Sequence, residues 1–204
     1  SLMTGFEAHV GGTPWETRRD PTFRFNQAVA EVSGWFVQNN PVQIPKTLLS
    51  QTAVDGGEVV SMHIPHASNH DLGPIMRALD EIEQRASPGA TVCVLGRYRR
   101  LLGDGKQTAA SLGKRYPGLN IAFSTVHKYK GKEADWVVVG WLTDDRLGFP
   151  CLRNDDPIMA ELLPESERFP LAEERRLVYV ALTRARRGVY LVCDQAKPSP
   201  FVME

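Results

Sequence analysis

Two stretches of the chain, FSTVHKYKGKEADWVVV at residues 123–139 and EERRLVYVALTRARRGVYLV at residues 173–192, decide the fold. The first indicates a strand, a basic turn and a second strand whose apolar residues run without a break. The second predicts an amphipathic helix over residues 172–186 that Gly188 closes, followed by a strand over residues 189–193. Continuous apolar strands next to amphipathic helices are typical of a parallel sheet covered on both faces.

Upstream of these stretches, helical and strand periodicities alternate along the chain. Apolar residues at helical spacing predict three more helices, over residues 26–39, 71–85 and 104–116. Short apolar runs bounded by turn residues predict two more strands, over residues 58–64 and 91–95, and set the two strands of the first stretch at residues 121–124 and 136–141. Strands that alternate with helices indicate an α/β domain with a largely parallel sheet.

The first 21 residues differ in character from the rest. They are rich in Gly, Pro and charge and lack periodicity, so they are expected to form an irregular leader. Ser1 and Leu2 ahead of Met3 are interpreted as a remnant of expression, with the natural start at Met3 or within a longer protein. The domain itself is expected to span residues 22–204.

The composition is that of a neutral globular domain. Of 204 residues 42% are hydrophobic, and 24 Lys and Arg balance 24 Asp and Glu, so no net field attracts nucleic acid or a membrane. The charges are nevertheless uneven. The stretch from Arg97 to Lys132 is strongly basic and is a candidate for contacting phosphates, whereas the stretch from Asp144 to Glu174 is acidic and is expected to be a solvated flank.

Cysteine usage and hydropathy argue against a metal-binding, a disulfide-rich or a membrane-spanning protein. Cys93, Cys151 and Cys193 are widely spaced, and two of them lie in apolar runs, where a thiol behaves as a small buried hydrophobe. Their spacing favours neither a metal site nor a disulfide framework and fits a reducing cytoplasm. The apolar run at residues 136–142 is too short to span a bilayer, so no membrane partner is expected.

Each deciding stretch has two interpretations from its residues alone. The basic turn is either a solvated connector or a ligand loop, in which His127, Lys128 and Lys130 meet phosphates and Gly131 allows a tight turn. The ligand interpretation assumes that the loop follows a buried parallel strand, since open α/β sheets bind ligands at the carboxyl ends of their strands. The arginines of the second stretch either favour the end of a helix or project toward a triphosphate.

The residue order in these stretches resembles that of a known helicase family. Thr-Val-His-x-x-Lys-Gly-x-Glu, which starts at Thr125, resembles motif V of the UvrD/Rep-type superfamily 1 DNA helicases. Glu-Glu-Arg-Arg-Leu-x-Tyr-Val-Ala-Leu-Thr-Arg-Ala, which starts at Glu173, resembles motif VI. Upstream, Thr-Phe-Arg-Phe-Asn at residues 22–26 resembles motif IV, and Val-Leu-Gly-Arg-Tyr at residues 94–98 resembles the strand-end segment that follows it.

The resemblance implies a fold and a set of residue roles. The fold is a RecA-like parallel-sheet domain with helices on both faces, similar to that of the P-loop NTPases but without the phosphate loop. The resemblance implies that Arg24 and Arg184 are catalytic arginines at the γ-phosphate of ATP. Phe23 takes the position of the aromatic that stacks on adenine, Glu133 that of a carboxylate bonded to the ribose, and Gly131 lies in the loop that faces the nucleotide.

The resemblance also implies a nucleic-acid contact and shows departures from the family pattern. Thr125 and His127 match positions on the backbone of single-stranded DNA, and Lys128 beside them is expected to meet phosphates. Lys132 stands where an apolar residue is common, and Phe23 replaces the usual Tyr. The gap ahead of motif V is short where larger relatives carry an inserted subdomain. This short gap and Glu-Arg-Phe-Pro ahead of motif VI indicate the helicase IV branch.

The chain lacks half of a complete motor. ATP hydrolysis requires a glycine-rich phosphate loop and a carboxylate for Mg²⁺, and no Gly-x-x-x-x-Gly-Lys-Ser/Thr stretch occurs in the sequence. ATP with Mg²⁺ is therefore expected to bind on an N-terminal motor domain of the same polypeptide, which becomes a partner of this chain. Single-stranded DNA is the second expected partner, and the chain alone is expected to be inactive.

Two other interpretations fit the residues. In one, the chain is a stand-alone module that kept the fold and lost the chemistry, and it binds nucleic acid or protein. In the other, it is an unrelated α/β enzyme, although no nucleophile paired with a base and no paired catalytic carboxylates stand out. Upstream coding sequence with a phosphate loop distinguishes the helicase from the stand-alone module.

Overall fold

A computed structural model of the chain describes residues 21–41, 43, 48–52, 58–64, 72–144, 148–151 and 169–204. The leader predicted over residues 1–21 lies outside this part except for Pro21, and so does most of the acidic stretch. Near the start, two short strands, β1 (Pro21–Thr22) and β2 (Leu49–Ser50), pair in parallel. This pairing holds the segment that contains motif IV against residues 48–52.

The main sheet has five strands, and each neighbouring pair runs parallel. In chain order they are β3 (Glu58–Ile64), β4 (Ala90–Gly96), β5 (Leu119–Thr125), β6 (Ala134–Leu142) and β7 (Ala185–Asp194). Across the sheet they lie in the order β3-β7-β6-β4-β5. β6 is therefore central, β3 and β5 are the edges, and the predicted parallel sheet is confirmed.

Helices cover both faces of this sheet. The described helices are α1 (Gln27–Gln38), α2 (Gly73–Arg85), α3 (Gly105–Arg115), α4 (Ala172–Leu182) and α5 (Pro200–Met203), with a 3₁₀ turn at Arg99–Leu102. α1, α4 and α5 pack on one face, and α2 and α3 pack on the other. This arrangement confirms the predicted α/β class, a RecA-like sheet with helices on both faces.

The sheet separates the core into two apolar layers. On the first face, Val29 of α1 and Leu182 of α4 pack against Val137 of β6. On the second face, Leu79 of α2 packs with Val138 of β6 and Tyr190 of β7. Adjacent β6 residues thus face opposite layers, as the strand period requires. Each fully buried aliphatic side chain stabilises the fold by about 1.5–3 kcal/mol, so this sheet is a rigid support for its loops.

Local signals set the helix boundaries close to where the sequence predicts them. Asn26 caps α1, since its Oδ1 accepts a hydrogen bond from the Val29 amide at 3.0 Å. Asp104 caps α3 and accepts from the Lys106 and Gln107 amides, each at 3.2 Å. Both caps are the residues that open the predicted helices, so these boundaries are confirmed.

The last predicted helix is too long by four residues. α4 ends at Leu182, and β7 begins at Ala185 because that residue already pairs with Ala134 of β6. Gly188 therefore lies inside a strand and closes no helix. A Cβ at Gly188 would lie 2.5 Å from Cζ3 of Trp136, so close packing between β6 and β7 explains the glycine.

Two assumptions about burial are also corrected. β5 is an edge strand with alternating exposure, so the basic turn does not follow a fully buried strand. In α1 the apolar residues Val32 and Trp35 are 37% and 54% exposed, while Ser33 and Gly34 are buried. Which face of α1 packs against the rest of the domain is therefore set by tertiary packing, which here overrides the apolar pattern.

Candidate functional site

Residues from three of the predicted motifs meet at one end of the sheet, where β6 and β7 begin. Arg24 lies in the segment ahead of α1, Glu133 is the residue before β6, and Arg184 is the residue before β7. The backbone amide of Ala134 donates to the Arg184 carbonyl at 3.0 Å, so the starts of β6 and β7 are joined directly. The sheet register thus brings motifs V and VI together, and Arg24 of motif IV contacts Glu133 of motif V.

An open pocket of about 550 Å³ lies at this end of the sheet. Its lining residues come from motif IV and its neighbours and are Pro21, Thr22, Phe23, Arg24, Phe25, Leu48, Glu133 and Tyr179. The volume is within the range of small-molecule sites, about 300–1,000 Å³. The Phe23 side chain is 72% exposed, which is unusual for a phenylalanine and leaves its ring free to stack on a planar group.

Glu133 connects two arginines at the floor of this region. Its Oε1 lies 2.8 Å from Nε of Arg24, and its Oε2 lies 3.2 Å from Nε of Arg186. With Arg184 nearby, three arginines surround one carboxylate. The local charge is positive, which favours a ligand with several negative charges.

Arg184 is the buried member of this group, with 8% of its surface exposed. Its Nε donates to the Val180 carbonyl at 3.0 Å and its Nη2 donates to Oγ1 of Thr183 at 3.3 Å. Burial lowers the pKa of Arg184, and the charge of Arg24 lowers the pKa further, while Glu133 opposes the shift. Arg24 and Arg184 are therefore close enough to share one electrostatic environment.

Asn26 fixes the position of motif IV relative to motif VI. Its backbone amide donates to the Arg186 carbonyl at 3.3 Å, and its side-chain amide donates to the Arg187 carbonyl. The same side chain caps α1 through Val29. Asn26 is 3% exposed, so one buried residue sets the start of α1, the start of β7 and hence the separation of their arginines.

The motif V loop crosses the sheet from one end to the other. It leaves β5 at Thr125, which is level with Gly96 of β4, passes over β4 and enters β6 at Ala134. The strands advance by about 3.3 Å per residue, so the loop spans about 20 Å. Gly131 adopts a positive φ of 86° within it, a conformation that favours glycine.

Tyr129 holds the middle of this loop in place. Its ring packs against the first core layer beside Cys93, and its hydroxyl donates to the Glu133 carbonyl at 2.9 Å. Burial raises the pKa of Tyr129, so the hydroxyl keeps its proton and remains a donor. A partly buried contact in the loop therefore supports the backbone of Glu133.

The predicted DNA residues lie at the opposite end of the loop from Glu133. Thr125 ends β5, and the Lys128 amide donates to its Oγ1 at 3.4 Å. The side chains of His127 and Lys128 are exposed. The structure therefore separates the predicted nucleotide residues from the predicted DNA residues by most of the length of the sheet.

A separate, more buried ion pair connects the strand-end segment to α4. Arg97 follows β4, and its Nε and Nη2 both donate to the Glu174 carboxylate at 2.7 to 3.0 Å. Glu174 also accepts from the Cys151 amide at 2.9 Å. Both residues belong to segments that resemble helicase motifs. Their contact joins β4 to the start of α4, at the opposite end of that helix from Arg184.

Reasoning from the sequence missed two residues of the site. The sequence places Arg186 at the end of a helix, where it either favours that end or projects toward a triphosphate, but it lies in β7 and its side chain contacts Glu133. The pairing of Ala185 with Ala134 sets the start of this strand, so no local signal in the sequence identified Arg186. Tyr179 lines the pocket from α4, and its place in the apolar pattern of that helix gave no separate signal.

Among the residues that the structure describes, no group of three or more His, Cys, Asp or Glu side chains could hold a metal ion. None of the helices in this part of the chain has both the length and the apolar character needed to cross a membrane.

Comparison with known proteins assigns similarity over most of the chain. Residues 106–195 match the family model of the UvrD-like helicase C-terminal domain. The chain is also 38% identical over 205 residues to DNA helicase IV of Escherichia coli (strain K12), which covers 99% of this chain. The chain spans 28% of the length of that relative. Motifs V and VI lie within both matches, and motif IV lies within the second.

Proposed function

We propose that the chain, which matches the family of the UvrD-like helicase C-terminal domain, is the second motor domain of an ATP-dependent translocase on single-stranded DNA, or DNA helicase. The observation that carries the proposal is the cluster of Arg24, Arg184 and Arg186 around Glu133, beside an open pocket with an exposed Phe23. A positive cluster beside an exposed aromatic ring suits a nucleoside triphosphate.

The two proposed catalytic arginines contribute in different ways. Phosphoryl transfer spreads charge over the oxygens of the transferred group, and arginine donors fixed in advance offset this charge. Arg184 is buried and held by Val180 and Thr183, so it needs little rearrangement and acts where water screens its charge weakly. Arg24 is half exposed and lines the pocket, so it contacts the same phosphate from the open side.

The remaining proposed contacts follow the geometry of the pocket and the loop. Phe23 stacks on the adenine, while Glu133 and Gly131 lie at the ribose end of the nucleotide. Thr125, His127 and Lys128 contact the backbone of single-stranded DNA at the far end of the loop. ATP and Mg²⁺ are held by the phosphate loop of an N-terminal motor domain, and this chain supplies its arginines across the cleft between the two domains.

The decisive test is the substitution Arg184→Ala in the full-length protein that contains this chain. We expect steady-state ATP hydrolysis to fall about a thousandfold or more, because loss of such an arginine typically has effects of about 10³–10⁵-fold. Arg184→Lys keeps the buried charge but loses the planar pair of donors, and we expect it to remain folded and largely inactive.

The matched control is Arg77→Ala, which removes an exposed arginine from α2 on the other face of the sheet. It should hydrolyse ATP at the wild-type rate. Wild-type hydrolysis by both Arg184 variants would contradict the proposed function. That result would favour the alternative interpretation, in which the chain is a module that binds nucleic acid or protein without using this cluster.

A further inference from the structure

The Glu133 carboxylate is shared by two arginines. Arg24 and Arg186 both use Nε, at 2.8 Å and 3.2 Å, and they bind different oxygens of the carboxylate. Within the described ranges, no second side chain pairs with the Arg24 guanidinium. Glu133 thus contacts the guanidinium of Arg24 at Nε, and the planar array of donors that this group carries suits the phosphate oxygens of a ligand.

The three residues come from three motifs, and the backbone fixes their separation. Asn26 bonds to the carbonyls of Arg186 and Arg187, so the start of β7 is attached to the start of α1 two residues after Arg24. Glu133 is fixed from the other side, because Tyr129 donates to its carbonyl. The backbone on each side of the carboxylate is therefore set before any ligand arrives.

The side chains themselves are freer than this backbone. The Arg24 side chain is 46% exposed, that of Arg186 is 52% exposed and that of Glu133 is 29% exposed. An arginine that is half in water samples many rotamers, and few of them direct its terminal amines at one point. When both oxygens of Glu133 are bound, the carboxylate is fixed and favours one orientation of the Arg24 side chain. If Glu133 were bound by Arg24 alone, the two side chains would move together.

We propose that Arg186 is a positioning residue, which fixes Glu133 so that Glu133 in turn orients Arg24 toward the phosphates. The proposal rests on the proposed function. It adds Arg186 to the machinery and gives the Glu133 carboxylate an orienting role toward Arg24 as well as its proposed place at the ribose. Arg186 acts through Glu133 and contacts no reacting atom.

The test is Arg186→Gln in the full-length protein, with kcat and KM for ATP measured separately at saturating single-stranded DNA. Misdirection of a positioned group reduces turnover by up to about a hundredfold. We expect kcat to fall between about tenfold and a hundredfold with KM within about twofold of wild type, since the interaction serves mainly the transition state. The control is Arg187→Gln, which makes the same charge change at the next exposed residue and should leave both constants unchanged.

A double-substitution cycle separates positioning from a general loss of charge. Single-turnover hydrolysis is measured for Arg24→Ala with and without Arg186→Gln, at enzyme excess so that slow rates are readable. If Arg186 acts through Arg24, the second substitution adds no further loss in the Arg24→Ala background. A full multiplicative loss in that background, or a rise in KM with kcat unchanged, overturns the inference and assigns Arg186 a direct contact or a role in ribose binding alone.

Failure of this inference is distinguishable from failure of the proposed function. If Arg184→Ala abolishes hydrolysis while Arg186→Gln matches wild type, the motor assignment stands and the positioning role is wrong. If both variants hydrolyse ATP normally, the cluster serves no hydrolysis and both proposals fail. Thermal unfolding of each variant shows that losses of rate come from a folded protein.

Discussion

The two ends of the motif V loop are built very differently. At the end next to β6, Glu133 is tied to Arg24 and Arg186, and its backbone is bonded to Tyr129. At the end next to β5, the exposed side chains of His127 and Lys128 extend from an edge strand. One end is assembled before any ligand binds, and the other presents adaptable side chains to solvent.

This difference matches what the two proposed ligands require. A phosphoryl-transfer site gains from groups held in fixed positions, because misplacement of about 1 Å can lower the rate by about a hundredfold. A track for single-stranded DNA must release and rebind successive backbone phosphates, and exposed cations that act through charge suit that task. The loop therefore joins a fixed site, at Glu133, to a site of exposed and adaptable side chains, at His127 and Lys128. The second of these is the permissive end.

The largest effect that we expect at the permissive end follows from the double substitution His127→Ala with Lys128→Ala. The affinity of the full-length protein for single-stranded DNA should fall about tenfold at moderate salt. The plot of log K against log salt should become shallower by about 0.7, since one phosphate contact made by a cation is lost. Fluorescence polarisation with a labelled oligonucleotide across a salt series measures both quantities.

The control for this experiment is Lys114→Ala, which removes an exposed lysine near the end of α3, on the other face of the sheet from α1 and α4. Its affinity and salt slope should match those of wild type. If the two alanine variants behave alike, the exposed end of the loop is a solvated connector and the contrast between the two ends disappears.

A smaller effect is expected from Tyr129→Phe, which tests whether the loop connects its two ends. The substitution removes the hydroxyl that donates to the Glu133 carbonyl and keeps the ring in the core. Loss of one such hydrogen bond lowers the free energy of unfolding by about 1 kcal/mol. We expect stimulation of hydrolysis by DNA to fall about fivefold, because that energy no longer holds Glu133 in place when the DNA end is occupied.

Tyr116→Phe is the matched control for that prediction. The Tyr116 hydroxyl donates to Asp80 at 2.7 Å, and its ring lies in the other core layer. Urea unfolding should therefore show a similar loss of stability for both variants, while only Tyr129→Phe reduces DNA stimulation. Equal stimulation in both would show that the two ends of the loop act independently.

The fold follows from the sequence more completely than the site does. Each predicted strand of the sheet is present, because short apolar runs bounded by turn residues, such as residues 136–141, favour strands. The position of β5 at the edge was not predictable, since strand order depends on partners distant in sequence. The end of α4 was misjudged for the same reason, as the pairing of Ala185 with Ala134 decides it.

The proposed site shows the same limit at the level of single residues. Motif order selected Arg24, Glu133 and Arg184 from the sequence, and the structure brings these three to one end of the sheet. The contact of Glu133 with Arg186 depends on the register of β6 against β7, which no local pattern encodes. Asn26 was visible as a helix cap, but its bonds to the start of β7 appear only in the folded chain.

The layer of α1, α4 and α5 is held together by a pair of residues, Arg175 and Glu204. Arg175 of α4 lies 4.7 Å from the ring centre of Phe36 and 5.0 Å from that of Phe201, and its Nη1 donates to the Phe36 carbonyl at 3.1 Å. The terminal amines of Arg175 also bind the Glu204 carboxylate at 2.5 and 2.6 Å, and Asn39 donates to it at 3.0 Å.

The smallest expected effect comes from protonation of that carboxylate. The hydrogen bond from Arg175, aided by the one from Asn39, lowers the pKa of Glu204 below its ordinary value of 4.5. A lowered pKa in the folded state means that the pair stabilises the fold above pH 4.5 and that this contribution is lost as pH falls below it. The contribution is on the order of 1 kcal/mol, because the Glu204 side chain is 29% exposed.

Glu204→Gln should therefore be less stable than wild type by about 1 kcal/mol at neutral pH, and the difference should shrink as pH falls from 4.5 to 3. Urea unfolding at a series of pH values measures it, and Asp144→Asn, at an exposed carboxylate, is the control. Hydrolysis at neutral pH should be unchanged, because the pair supports α1 and α4 from behind and touches no residue of the arginine cluster. A large loss of hydrolysis in Glu204→Gln would show instead that the positions of the arginine cluster depend on this distant ion pair. The packing of α1 against α4 would then be part of what fixes the site.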